Sequence, residues 1–465
     1  MSLKPELRLA AREIFDAALS SVDAGAALRR AVKFDGSSLR VMETTLSLSK
    51  RRSSVYVIAI GKASLSMAKA LDAILGERIG AGIVVGPGAG RPHASAIKPR
   101  LEAFSSSRRW RVIEGGHPLP NRASMIAAQA AFELLEGAER ERAPLIFLIS
   151  GGGSAMIEWP RDERITLKEL RAANRLLVSC GAGIAEINAV RRAFSAVKGG
   201  GLSARAPHSD QLSLIVSDTA EGEEANVASG PTFDTDAAHT PDAAQVLERY
   251  GLARRLPASI LRAINQASVS KAASPSRARR AHHVLLDNRL AVEAAARAAR
   301  RRGFAVEVAR DISEQPVEEG CSQMLARLLS LHGRRRVGRK GVCLVSGGEF
   351  ACPVRGRGVG GRNAETALRW AIEIDERDSL SSDARALPEQ IVALSAGTDG
   401  IDGNSTAAGA LADQTTLRRA RSLSLDARRF LDASDAYSFF AALGDSVVTG
   451  PTGTNVRDLR IMLAV

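Results

Sequence analysis

Gln390-Ile391-Val392-Ala393-Leu394, running into Ser395-Ala396-Gly397-Thr398-Asp399-Gly400-Ile401-Asp402-Gly403, is the stretch on which the fold assignment turns. The first five residues read as a buried strand. The loop behind them carries two carboxylates that cannot pack as core, because an ionised aspartate is costly to bury unpaired. Its glycines remove the Cβ atoms that hold a ligand off the backbone, and they permit φ > 0 in a tight turn. A strand ending in such a loop marks the carboxyl edge of an open α/β sheet, where ligands bind. Asp399 and Asp402 therefore read as metal- or phosphate-handling groups, although Asp-Gly is also a common turn dipeptide.

The pattern recurs three times. Val55-Tyr56-Val57-Ile58-Ala59-Ile60 leads into Gly61-Lys62-Ala63-Ser64, and Leu145-Ile146-Phe147-Leu148-Ile149 into Ser150-Gly151-Gly152-Gly153-Ser154. Val342-Cys343-Leu344-Val345 leads into Ser346-Gly347-Gly348-Glu349, then Gly360-Gly361-Arg362-Asn363. Helix-like segments such as Met67–Leu75 and Ala364–Ile374 follow these loops. Their backbone N–H groups, with a helix start behind them, form ready anion sites. Four such loops, with Lys62, Arg362, Asp399 and Asp402 in or beside them, are hard to explain as independent turns.

Working outward, β-turn-α periodicity begins at Val55 and predicts a parallel, doubly wound sheet. Helices are predicted over Glu6–Leu19, Ala26–Val32, Leu167–Leu177, Gly181–Phe194 and Pro241–Ala267, and loops over 95–109, 271–280 and 379–386. A second αβ series is predicted to begin at His283–Leu286, which places a domain boundary near residue 240. The chain thus reads as two α/β domains, 1–240 and 241–465, in line with a length of 465 residues. With 45% hydrophobic and 25% charged residues, global disorder is excluded. No run reaches the ~18 apolar residues of a membrane span. The start of the chain lacks the apolar core of a secretory signal. Four cysteines without a Cys-x-x-Cys pair argue against zinc and a disulfide framework, so a cytoplasmic setting is expected. The net charge of +13 is spread over solvated arginines, and 4% aromatics leave little for base stacking, so nucleic acid is not an expected partner.

No Walker A pattern and no dinucleotide fingerprint occur. The chain instead resembles the type 2 glycerate kinases, whose C-terminal module is the MOFRL domain. The resemblance rests on Gly61-Lys62-Ala63, Gly115–Pro120, Ser150–Ala155, Asn188-Ala189-Val190-Arg191, Lys198-Gly199-Gly200, Ser217-Asp218, Ala228–Thr232, Ser346–Glu349, Gly360–Asn363, Gly397–Gly403 and Gly450–Asn455, from about Glu6 to Leu463. It implies ATP-dependent phosphorylation of D-glycerate to 2-phosphoglycerate, with Mg²⁺, by two α/β domains around a cleft, the first Rossmann-like. The alternatives are a kinase for another small hydroxy acid and a catalytically silent ligand-binding homologue. The latter is suggested by departures from the family pattern at Glu221-Gly222-Glu223 and Asn404-Ser405-Thr406. A monomer or homodimer is expected.

Phosphoryl transfer needs positive groups on the moving phosphoryl and a metal on phosphate oxygens. With the resemblance, Lys62, Arg362 and Asp399 are the expected catalytic residues. Lys62 supplies a point charge, Arg362 a planar fork, and Asp399 a base or metal ligand. Gly61, Ser150, Gly151, Gly152, Gly153, Ser154, Gly347, Gly348, Gly361, Asn363, Thr398 and Asn455 are expected to bind substrate or nucleotide. Lys198 joins them, although a lysine after a helix C-terminus also suits the helix dipole alone. Asp218, Glu349 and Asp399 are the expected metal ligands. Asp402 is set aside as a helix cap, and His117 as equally a structural histidine.

Overall fold

The computed structural model describes all residues except 1–3, 49–53, 88–108, 235–240, 270–277, 335–337 and 381–386. The loops predicted at 95–109, 271–280 and 379–386 fall largely outside the described residues. The chain forms two compact units, one of residues 24–286 and one of 1–23 with 287–465. Helix α1 (Lys4–Ser21) belongs to the second unit, where Ile14 and Phe15 join its apolar core.

The first unit starts with α2 (Ala24–Ala31) and a small antiparallel sheet that the sequence pattern does not reveal, β1 (Val32–Phe34), β2 (Ser38–Val41) and β3 (Thr44–Ser47). The main sheet follows as β4 (Val55–Ile60), α3 (Ser64–Leu75), β5 (Ile79–Pro87), β6 (Trp110–Gly115), α4 (Arg122–Glu141) and β7 (Leu145–Ser150). The short α5 (Gly153–Met156), α6 (Leu167–Val178), α7 (Ile184–Phe194) and β8 (Gln211–Val216) come next. Helices α8 (Ala243–Arg249) and α9 (Ala258–Val269) lead to β9 (Arg280–Leu286). All pairs are parallel, in the order β6-β5-β4-β7-β8-β9. This is the predicted doubly wound sheet. Strands β4, β7 and β8 are nearly continuous apolar runs because helices cover both faces of such a sheet.

Two expectations need correction here. The helical segment over Pro241–Ala267 is two helices, broken where Gly251 takes φ +60° and Pro257 follows. Strand β9 opens no second series: it pairs with β8 from Gln211↔Arg280 to Val216↔Leu286. Helices α8 and α9 also share an apolar cluster with α6 and α7 through Leu170, Val190, Leu247 and Ile260. The compact units therefore part between Leu286 and Asp287, not near residue 240. Local pattern locates a strand; it does not say which sheet the strand joins.

The second unit continues with α10 (Asn288–Arg301), β10 (Phe304–Val308), α11 (Val317–Gly333), β11 (Gly341–Gly348), α12 (Arg362–Leu380), β12 (Ile391–Gly397) and β13 (Gly409–Asp413). It ends with α13 (Thr416–Ser422), α14 (Ala427–Asp432), α15 (Ala436–Leu443), β14 (Ser446–Val447) and β15 (Asp458–Ala464). The sheet order is β10-β11-β15-β12-β13-β14, and only β10 and β11 run parallel. The last strand is thus threaded antiparallel through the middle of the sheet. Its first residue, Asp458, stands opposite Gly348 on one side and Gly397 on the other. That register brings an acid to the point where both glycine-rich loops begin.

Candidate active site

In the first unit the strand order reverses between β4 and β7, and a ligand crevice is expected outside such a switch point. The Gly61 and Ser150 loops leave the sheet there as neighbours. Lys62 N–H donates to Gly151 O at 3.0 Å and Ala63 N–H to Ser150 Oγ at 3.0 Å. Ser150 Oγ donates in turn to Ile60 O at 3.2 Å. Gly61 has φ +107°, and a Cβ there would overlap the Ser150 carbonyl, so glycine is a steric requirement. Lys62 is half-buried at the start of α3. Ser64 Oγ, two residues on, is buried without a hydrogen-bond partner among the described residues. Gly152 has φ +81°, and a Cβ on it would lie 3.2 Å from the His117 ring.

Lys198 does not reach a ligand surface. Its side chain and that of Glu158 are each 1% exposed and pair at 2.5 Å. Its Nζ also donates to Ser154 O at 2.9 Å, so it braces the glycine loop from behind. Burial pulls the Lys198 amine below the usual lysine range, against the opposing effect of Glu158. Ser154 Oγ and Ser229 Oγ are 2.8 Å apart, and Ser229 Oγ donates to Asn188 Oδ1 at 2.8 Å. Asp218 is half-buried just after β8.

In the second unit Arg362, the first residue of α12, pairs with Glu349 at 2.6 Å and with Asp458. Burial alone would lower its pKa, but Asp458 and Glu349 outweigh that and raise it. Asn363 Nδ2 donates to Asp458 Oδ1 at 2.9 Å, while its own Oδ1 accepts from Ser395 Oγ at 2.6 Å. Asp402 accepts from Asn363 N at 3.0 Å and Ala364 N at 2.8 Å. It does cap a helix, though the helix is α12, earlier in sequence. Its burial lifts its pKa to about 6, opposed by those two N–H donors. Asp399, half-buried, accepts from Ile401 N at 3.1 Å. A Cβ on Gly397 would lie 3.3 Å from Asp399 Oδ1 and 3.4 Å from Asp458 Oδ1, so two carboxylate oxygens flank one point.

Thr398 is buried, and its hydroxyl is committed to the start of β15, donating to Arg457 O at 2.7 Å and accepting from Val456 N at 2.9 Å. Asn455 Oδ1 accepts from Arg457 N at 3.3 Å. Both residues shape the loop. Nearby, Thr454 Oγ1 is buried without a partner among the described residues. The glycines Gly347, Gly348 and Gly361 are all required by close approach. A Cβ on Gly347 would overlap Asn288 Oδ1, Gly348 has φ +88°, and a Cβ on Gly361 would overlap Asp402.

The three acids expected as metal ligands are not gathered. Among the described residues no group of three or more His, Cys, Asp or Glu side chains is placed to hold a metal ion. Glu349 is engaged with Arg362, while Asp218 belongs to the other unit. Sequence reasoning also missed Asp458, Glu158 and Asn288. Asn288 donates to Val456 O at 2.7 Å and Asp458 O at 2.9 Å and accepts from Gly348 N at 2.9 Å, tying β11 to β15. None of the three sits in a glycine-rich loop. Asp458 alone carried a signal, as an acid at the start of an apolar strand.

A lysine at the switch point of a doubly wound sheet and, in the second unit, an arginine bracketed by two carboxylates are groups suited to an anionic ligand. Residues 10–265 match the model of a domain of unknown function, DUF4147, and residues 342–458 match the MOFRL family. The chain is 32% identical to D-glycerate 2-kinase of Thermotoga maritima, covering 91% of this chain and 94% of that protein. It is likewise 32% identical to glycerate kinase of Rattus norvegicus, covering 97% and 92%. The crystal structure of Thermotoga maritima glycerate kinase superimposes with a TM-score of 0.74 at 29% identity, covering 99% of this chain and all of that one. The chain belongs to this glycerate kinase family.

Proposed function

We propose that the protein transfers the γ-phosphoryl group of ATP to the 2-hydroxyl of D-glycerate. Membership of a family whose relatives carry that name, together with a lysine at the switch-point loop of the first sheet, carries this reading. In it Lys62 and Arg362 place positive charge against the transferring phosphoryl or the acceptor, and Asp399 takes the proton of the attacking hydroxyl. The glycines around Gly61, Gly151–Gly153 and Gly347–Gly348 let backbone N–H groups approach anionic oxygens.

Mg²⁺ fits the acids present, because it prefers one or two carboxylates completed by phosphate oxygens and water, and the Asp399 and Asp458 oxygens flank one point beside Gly397. When bound with ATP it would neutralise phosphate charge. Asp399 is assigned to hold it, with Asp458 beside it. A soluble, cytoplasmic enzyme is consistent with four free cysteines and with the absence, among the described residues, of a helix long and apolar enough to cross a membrane.

Protein incubated with ATP, Mg²⁺ and D-glycerate should release ADP well above the glycerate-free rate, with product consumed by an enolase-coupled assay that accepts 2-phosphoglycerate. Hydroxypyruvate should not drive NAD(P)H consumption. Robust ADP release without coupled signal would overturn the position of transfer, and no glycerate-dependent ADP release would overturn the kinase reading.

A further inference from the structure

The side-chain hydrogen bonds that end at Ser154 run in one direction, and a guanidinium sets it. Arg192, in the last turn of α7, has donors only. Its Nη2 lies 2.9 Å from the Asn226 side chain, so Asn226 must present Oδ1 there. The same oxygen faces the Asn188 amide at 3.4 Å, and Asn188 therefore turns Nδ2 towards it. Asn188 Oδ1 is left for Ser229 Oγ, which donates to it at 2.8 Å. A serine hydroxyl has one hydrogen, and that bond uses the one on Ser229. The 2.8 Å contact between Ser154 Oγ and Ser229 Oγ must then take its hydrogen from Ser154. What Ser154 Oγ has left to offer a ligand is lone pairs.

The backbone fixes both ends of this series. Ala228 and Ser229, neither a glycine, take φ +51° and +62° in succession, and Ser229 O accepts from Gly199 N at 3.1 Å and Arg192 Nε at 3.4 Å. Such strain persists where the surroundings enforce it. A Cβ on Gly153 would lie 2.9 Å from Ala228 Cβ, so the turn packs directly on the glycine loop. Ser154 O is held in turn by Lys198 Nζ at 2.9 Å. Asn188 and Ser229 are buried, whereas Ser154 is only half-buried, so the series opens to a ligand at Ser154. An ionised carboxylate or phosphate oxygen has no hydrogen to give and meets those lone pairs unfavourably, while a hydroxyl can donate to them.

We propose that Ser154 Oγ binds ligand as a hydrogen-bond acceptor, taking the 3-hydroxyl of D-glycerate, and that Arg192, Asn226, Asn188 and Ser229 are positioning residues that impose this polarity. The identity of the ligand rests on the kinase reading above, in which the 2-hydroxyl gives its proton to Asp399 and the 3-hydroxyl is the one left to be held. Ser154 is then a specificity-determining residue that selects a hydroxyl over an anionic group. The ribose of the nucleotide is the other source of a hydroxyl, and the assay separates the two.

The test compares Ser154→Ala and Ser229→Ala with wild type in KM for D-glycerate, KM for ATP, and the inhibition constants of D-lactate, which lacks the 3-hydroxyl, and tartronate, which carries a carboxylate in its place. Losing one uncharged hydrogen bond to the substrate raises KM by about 10-fold. Ser154→Ala should show that rise for D-glycerate, with the constants for D-lactate and ATP unchanged. Ser229→Ala frees the Ser154 hydrogen to point at the ligand, so tartronate should inhibit that variant about 10-fold more strongly than wild type, a gain that a merely structural role does not produce. A D-glycerate KM unmoved in Ser154→Ala, or a rise shared equally by D-lactate, would overturn the contact. Unchanged tartronate inhibition in Ser229→Ala would overturn the imposed polarity. If Ser154→Ala instead removes discrimination between ATP and its 2′- and 3′-deoxy forms, the acceptor assignment is overturned in favour of the ribose. Absence of glycerate-dependent ADP release in wild type sinks the kinase reading by itself. Thermal shifts with D-glycerate, D-lactate and tartronate then read the same comparison without turnover, and a D-glycerate shift left intact in Ser154→Ala would overturn the proposal.

Discussion

Replacing Arg362 separates chemistry from folding. Its guanidinium is bracketed by Glu349, about a third exposed, and by Asp458, whose side chain is 4% exposed. Breaking a fully buried pair costs about 3–5 kcal/mol because a charge is left without its partner. The Glu349 pair, open to solvent on both sides, contributes at most about 1 kcal/mol. Arg362 is itself 35% exposed, so water enters the vacated space, and the cost of Arg362→Ala falls to about 2–3 kcal/mol. In a unit of this size that lowers Tm by about 4–12 °C. From the sequence alone, Arg362→Ala is expected to lower kcat/KM strongly and leave the fold intact; the structure predicts that activity and stability both fall. Combining Arg362→Ala with Asp458→Asn removes the stranded charge and keeps an acceptor for Asn363 Nδ2. The double variant should therefore regain most of the missing Tm. If Arg362 clamps the substrate, its kcat/KM stays about 10²-fold or more below that of Asp458→Asn alone. Thermal melts followed by circular dichroism and steady-state ADP release read the two effects separately. A double variant as active as Asp458→Asn would refute the clamp, leaving Arg362 only the task of neutralising Asp458.

Lys62→Ala, at a half-buried position on the switch-point loop, should lower kcat/KM by about 10²-fold or more while its melting curve stays that of wild type; normal kinetics would remove Lys62 from the site. Asp399→Asn keeps size and hydrogen-bonding capacity but loses charge, so turnover should collapse with little change in Tm, whereas a large drop in Tm with normal turnover would mark a structural turn residue. Asp402 gives a pH signature: its folded pKa is raised to about 6 from an ordinary 3.8, so the folded state holds the proton longer than the unfolded chain. Its contribution is fully present below about pH 4 and is lost as the pH rises through about 6, a difference of up to about 3 kcal/mol. Urea midpoints of wild type minus Asp402→Asn, in ligand-free protein, should fall across that window, and a flat difference would show that the capping N–H donors already hold Asp402 ionised at pH 4.

The glycine loops were legible because they violate the rules of a packed strand end: Gly61, Gly347 and Gly361 are glycines for reasons of close approach that any side chain would break. The Asp402 cap was legible in kind but not in target, since its acceptor atoms serve the α12 N-terminus 38 residues away from it at Ala364. Lys198 misled because its neighbours, Gly199 and Gly200, resemble a ligand loop, while its partner Glu158 lies forty positions away in the chain. Ion pairing at that separation leaves no periodicity to read.

By itself the sequence determined the alternation of strands and helices, the doubly wound character of the first sheet, and the loops from which the site is built. Those follow from local physics, from apolar period, glycine conformational freedom and the cost of burying unpaired charge. Tertiary structure alone decided that β9 closes the first sheet, that α1 joins the second unit, and that β15 enters between β11 and β12. It is this last choice that sets Asp458 against Gly348, Gly397 and Arg362. Strand pairing depends on which apolar faces remain to be covered once the other elements have packed, and no stretch of chain carries that information alone.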